Sequence, residues 1–310
     1  MASDAAITTS APGSLMLLGE HAVLHGHRAL VAAINLRMSV QLIPLEDDSV
    51  EIVSALGNYH AQLERLVDHA SFKFVLQAIR THRSVLNKGF RLKIDSEFPP
   101  DIGFGSSAAV TVATHAALMH WTGREPPGRE DVFHHALETV RTVQGRGSGA
   151  DVAASVYGGM VGYSTEPTFD HIDLSIPITA VYCGYKTPTP EVIGKVEQKR
   201  LADPERFVRI YEEIDTSVGD AIERLRGHDF PGFGRILNRN HELMDAMGVG
   251  TPELDEIVAA LQVEPDVFGA KISGSGLGDC AIGVGYAKLA QLDYPVRHLE
   301  ITPLGCEWNG

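Results

Sequence analysis

The chain has 310 residues, of which 44% are hydrophobic and 21% charged, enough for one large core or for two lobes sharing a cleft. A formal net charge of −14 excludes a nucleic-acid surface, which needs clustered lysine and arginine, but not anionic ligands held by backbone dipoles. No apolar run approaches membrane-spanning length, no leader pattern opens the chain, and the widely spaced Cys183, Cys280 and Cys306 read as reduced and buried, so a cytoplasmic protein without membrane partners is expected.

The first 45 residues alternate apolar and polar in strand fashion, with Gly19-Glu20-His21-Ala22-Val23 as a turn between strands. The spacing of Phe72, Phe74, Val75, Ala78 and Ile79 predicts a helix over 62–86. Phe90, Leu92 and Ile94 alternate as a strand that leads into Pro99-Pro100-Asp101-Ile102-Gly103-Phe104-Gly105-Ser106-Ser107-Ala108. A small-residue helix, expected to be buried, runs from there over about 107–121, and a second helix over 131–143 carries the stripe Phe133, Ala136, Leu137, Val140, Val143. The loop over 144–149 then delivers Asp151 to the head of another small-residue helix. A strand over 178–185, a mostly helical stretch over 190–261, and strands over 268–272 and 281–284 complete the chain. The last two flank a third glycine-rich loop, Gly274-Ser275-Gly276-Leu277-Gly278-Asp279. Helices and strands mix without regular alternation, which predicts an α+β fold. The prolines between Pro167 and Pro190 suggest a hinge, dividing the chain into 1–165 and 166–310.

The segment from Pro99 to Ala108 carries the most chemical information. Glycine lets backbone approach a ligand closely, and the first N–H groups of a helix have no partner within it. Together they form a socket for phosphate oxygens at the positive end of a helix dipole, while Ser106 and Ser107 offer hydroxyls either as caps or to a cation. No lysine follows the second glycine, so this is not a P-loop. Asp151 reads either as a helix cap after a glycine loop or as a carboxylate set beside a nucleophile.

Three segments in this order, Ala11-Pro12-Gly13-Ser14 with Gly19-Glu20-His21-Ala22-Val23, the Gly103–Ser107 socket, and Lys271-Ile272-Ser273-Gly274-Ser275-Gly276, resemble the motifs of the GHMP small-molecule kinases. Within that family the chain is most similar to the mevalonate kinases, and the resemblance spans nearly its whole length. It implies a two-lobed fold with the active site in the cleft between lobes, ATP and Mg²⁺ as cofactors, and a small alcohol, mevalonate, as acceptor. It also implies roles: Asp151 and Lys186 as catalytic residues; Pro99, Gly103, Phe104, Gly105, Ser106, Ser107 and Ala108 at the nucleotide; Ser107 at the metal. Glu20, His21, Ser148, Gly274 and Ser275 would face the acceptor. A homodimer is left open. Two positions depart from the pattern. Ser14 stands where mevalonate kinases carry a lysine, and Val140 where they carry a magnesium-binding glutamate; Glu138, two residues back, is rotated by about 200° and faces away. The segment Gly278-Asp279-Cys280 resembles phosphomevalonate kinases instead, and a non-catalytic metabolite sensor of the same fold is the third reading.

Overall fold

The computed structural model describes residues 5–98, 103–123, 126–145, 147–165 and 169–309. Two sheets organise them. The first is built around β1 (Ile7–Leu18) and β2 (Ala29–Pro44), a long antiparallel pair. Around this pair lie β3 (Ser49–Ser54), β4 (Gly57–Gln62), β5 (Phe90–Ser96), β6 (Met160–Tyr163) and β7 (Phe169–Ile172). The second sheet contains β8 (Pro177–Tyr182), β9 (Val267–Ser273), β10 (Cys280–Gly285) and β11 (Val296–Glu300) in the order β11-β8-β10-β9. The last strand, β12 (Glu307–Asn309), returns to pair with β1.

On the first sheet lie α2 (Ser106–Thr122) and α4 (Ala150–Tyr157), both packed against β1 and β2. Outside them are α1 (Lys73–Thr81) and α3 (Arg129–Gln144). Alanine-rich α2 is buried on nearly every side, because small residues let neighbouring backbones approach from several directions. Where α1, α2 and α3 meet, the His82 imidazole lies 2.8 Å from that of His115, whose second nitrogen is 2.9 Å from the Thr139 hydroxyl.

The second half adds α5 (Thr189–Ala202), α6 (Pro204–Arg226), α7 (Phe230–Met247) and α8 (Pro252–Gln262). Strand β10 is buried along its whole length. Cys280, Ile282 and Val284 enter the core of the first half, while Ala281 faces the core formed with α5–α8. This is the two-residue alternation of a strand buried on both faces.

One expectation needs correction. The helix predicted over 62–86 shrinks to α1: residue 62 ends β4, 63–69 form no helix, and 70–72 and 83–85 are single 3-10 turns. Strands β7 and β12, which follow position 165 in the chain, complete edges of the first sheet and so bury backbone groups that would otherwise be left open. The three cysteines are free and buried, and no helix among the described residues is long and apolar enough to cross a membrane.

Candidate active site

A cleft of about 240 Å³ opens where the two halves meet. From the first half it is lined by Ser14, Glu20, His21, Gly103, Gly105–Ala108, Ser148 and Asp151, and from the second by Lys186, Gly274, Ser275 and Asp279, among others. Two of the residues named from the sequence and its family resemblance stand apart from this list or outside the described chain. Pro99 lies outside the described residues. The Phe104 side chain is fully buried in the core, and its carbonyl accepts from the Ser14 amide at 3.1 Å. Phe104 thus anchors the socket to β1 and does not line it.

Helix α2 begins without a side-chain cap. The N-cap position is held by Gly105 in the left-handed region, at φ 68°, and a Cβ there would meet the Ser14 hydroxyl at 2.0 Å. The serines therefore do not close the helix end, as the sequence had allowed, and the amides of Ser106–Ala108 open on the cleft.

Asp151 sits in the first turn of α4, behind Gly149 at the N-cap, and so is not the cap itself. It occupies the floor of the cleft, enclosed by protein on most sides yet reaching water through the opening. Its Oδ1 accepts from the Ser14 hydroxyl at 2.8 Å. Burial pushes its carboxyl above the usual range, opposed by the Ser14 hydrogen bond and the positive charge of Lys186. Lys186 is not free in solvent: its Nζ lies 2.7 Å from Asp279 Oδ2, and Asp279 Oδ1 accepts from the Gly103 amide at 3.0 Å. Asp279 was not singled out from the sequence as a site residue; its signal was a charged residue ending a glycine loop at positive φ, 72°. Val140 lines the same wall with an apolar side chain, and Glu138 is exposed on the far face of α3.

The remaining wall of the cleft is built from a strained turn. His21 has φ 61° and is nearly buried; its Nε2 lies 2.9 Å from the Ser275 carbonyl. A carbonyl only accepts, so Nε2 carries the proton, and burial lowers the imidazole's affinity for a second one. Beside it Glu20 Oε1 pairs with Lys271 Nζ, with both side chains out of contact with solvent. Burial raises the Glu20 carboxyl and lowers the Lys271 ammonium, each opposed by the other's charge. Lys271 was quoted from the sequence only as part of a motif, since lysine inside a strand ordinarily reaches solvent. In the third loop a Cβ on Gly276 or Gly278 would strike Val249 or Tyr185, whereas Gly274 faces open space.

The model of the GHMP kinases N terminal domain matches residues 70–159, and that of the GHMP kinases C terminal domain matches 220–292. The chain is 31% identical to the mevalonate kinase of Pyrococcus furiosus, covering 96% of this chain and 95% of that protein. It is 35% identical to the mevalonate kinase of Archaeoglobus fulgidus, covering 89% and 91%. The crystal structure of the Methanococcus jannaschii mevalonate kinase superposes with a TM-score of 0.80 at 25% identity, over 96% of this chain and 98% of that one. An open helix terminus facing a carboxylate on the cleft floor, joined to similarity along the full length, means that the chain belongs to the mevalonate kinase family of GHMP kinases.

Proposed function

We propose that this protein transfers the γ-phosphoryl group of ATP to the primary hydroxyl of mevalonate. The observation that carries the reading is Asp151, fixed by Ser14 at the floor of a cleft whose wall is the uncapped start of α2. Phosphoryl transfer asks the protein mainly for positioning and charge neutralisation. The amides at 106–108, aided by the helix dipole, would take phosphate oxygens. Asp151 would accept the proton of the attacking hydroxyl, and a carboxyl raised by burial is a stronger base than an ordinary aspartate. Lys186, already against Asp279 beside Gly103, would place positive charge at the group in flight. Mg²⁺ needs few protein oxygens when phosphate and water supply the rest, so the Ser107 hydroxyl in the cleft wall is a fitting donor even with Val140 apolar. Bound there, the ion would neutralise phosphate charge.

The test is ADP release with mevalonate, phosphomevalonate, galactose and homoserine in parallel. Turnover with mevalonate is expected; turnover with phosphomevalonate alone would reject the acceptor. Asp151→Asn keeps the shape and should lower kcat by ~10²–10⁴ while ATP binding stays near wild type. A folded variant with full kcat would remove Asp151 from the chemistry.

A further inference from the structure

Lys186 carries the one ammonium or guanidinium among the described residues that line the cleft, and its side chain is 40% exposed. A lysine on a flexible four-carbon stem facing water does not hold its charge in one place by itself. Asp279 supplies the hold. Its backbone is fastened to the segment just ahead of Lys186: its amide donates to the Tyr185 carbonyl at 2.7 Å, and its carbonyl accepts from the Cys183 amide at 2.9 Å. Just past the lysine, the Thr187 hydroxyl donates to the Leu277 carbonyl at 2.6 Å. The Asp279 carboxylate then reaches both ways, with Oδ2 at 2.7 Å from Lys186 Nζ and Oδ1 at 3.0 Å from the Gly103 amide, across the junction of the two halves. A Cβ on Gly103 would lie 2.0 Å from Asp279 Oδ2 and 2.2 Å from Lys186 Nζ, so glycine there makes room for the pair. Stability does not account for the arrangement. Asp279 holds φ 72°, a region that glycine enters at less cost, and an ion pair with a lysine this exposed adds little to folding. Strain kept beside a cleft points to function.

We propose that Asp279 is a positioning residue for phosphoryl transfer: it pins the Lys186 ammonium to the Gly103 end of the phosphate socket, so that one fixed positive charge serves both the transferring group and Asp151. This rests on the reading of Lys186 as the cation at the group in flight. The charge of Lys186 is felt at Asp151, where it opposes the effect of burial. An ammonium has three N–H donors; Asp279 takes one, which leaves two for phosphate oxygens. Because the carboxylate is itself negative, the pair adds little net charge to the socket. Its contribution is therefore placement at the transition state, where a charge already in position needs no reorganisation, and not attraction of ATP in the ground state.

The experiment compares wild type, Asp279→Asn, Lys186→Met and the double variant, reading kcat on whichever alcohol of the parallel assay is turned over and ATP affinity by titration calorimetry. Asparagine keeps the shape, tolerates the positive φ and can still accept from Gly103, so only the charge facing Lys186 is lost. Asp279→Asn should lower kcat at least ~10-fold while ATP binds as tightly as in wild type or more so, since a like charge has left the socket. Lys186→Met should slow the reaction by a similar factor. The double variant should be no slower than Lys186→Met alone, because the aspartate acts only through the lysine. If Asp279→Asn fails to fold, Asp279→Gly, which enters φ 72° without strain, carries the same test. Wild-type kcat in a folded Asp279 variant overturns the proposal, as do losses that multiply in the double variant. A fall in ATP affinity as large as the fall in kcat also overturns it, being the mark of a residue that merely shapes the loop. Full kcat in Lys186→Met overturns the reading of Lys186 and this inference together, and a wild type that turns over no alcohol overturns both along with the kinase reading. A slow Lys186→Met beside an unchanged Asp279→Asn overturns this inference alone.

Discussion

Ser14 shows how one side chain changes the electrostatics of a site. The family resemblance implies a lysine there, whose charge would hold the neighbouring carboxylate low. Here a neutral hydroxyl donates to Asp151 at 2.8 Å, burial prevails over it, and the carboxyl stays above its ordinary value. The ionised form is the one that accepts a proton, so kcat should fall as pH drops through that raised value. Ser14→Ala removes an interaction that favours the ionised form, so the acid limb of the kcat profile should move to higher pH. A limb that stays in place in a folded Ser14→Ala variant would show that the hydroxyl does not tune Asp151.

At the scale of elements, the start of α2 depends on Gly105. Its φ of 68° suits glycine, and a Cβ would meet the Ser14 hydroxyl at 2.0 Å and the Ser14 amide at 3.0 Å. Gly105→Val should therefore push α2 away from β1 and weaken ATP binding by more than ~10-fold, read by titration calorimetry with circular dichroism as the folding control. A folded variant with normal affinity would place the nucleotide elsewhere. The third loop divides its labour: Gly276 and Gly278 allow close packing, and Gly274 alone faces open space, so the same residue type serves packing at two positions and access at one.

For the whole molecule, the shared core makes unfolding a joint event, and the histidines between α1, α2 and α3 tie it to pH. Burial lowers His82 to about 4 and His115 well below its usual value. An unfolded chain takes up these protons near pH 6.5, and the folded one does not. Stability contributed by the neutral histidines is thus complete above pH 6.5 and is lost as pH falls towards 4. One such histidine should cost about 2 kcal/mol between pH 6.5 and 5. His82→Gln should give a shallower fall in denaturation midpoint over that interval than wild type. An equal slope would mean that protonation elsewhere governs acid unfolding.

The sequence by itself determined the local parts of this protein. Alternation in β1, β2 and β5, the small-residue helices α2 and α4, and the two-glycine turn before Ser106 are legible because their causes are local: side-chain period, backbone freedom and unpaired helix amides. The same reading placed Asp151, Glu20 and His21 in motifs. The tertiary structure alone decided which groups meet. Ser14 reaches Asp151 across 137 positions, Glu20 reaches Lys271 across 251, and Gly103 reaches Asp279 across 176. No periodicity reports such pairings. Whether a lysine in a strand snorkels to water or is locked against a carboxylate depends on what packs over it. Burial shifts the proton affinity of Asp151, Glu20 and His21, and burial is a property of the assembled chain because desolvation sums over every neighbour that folding brings near.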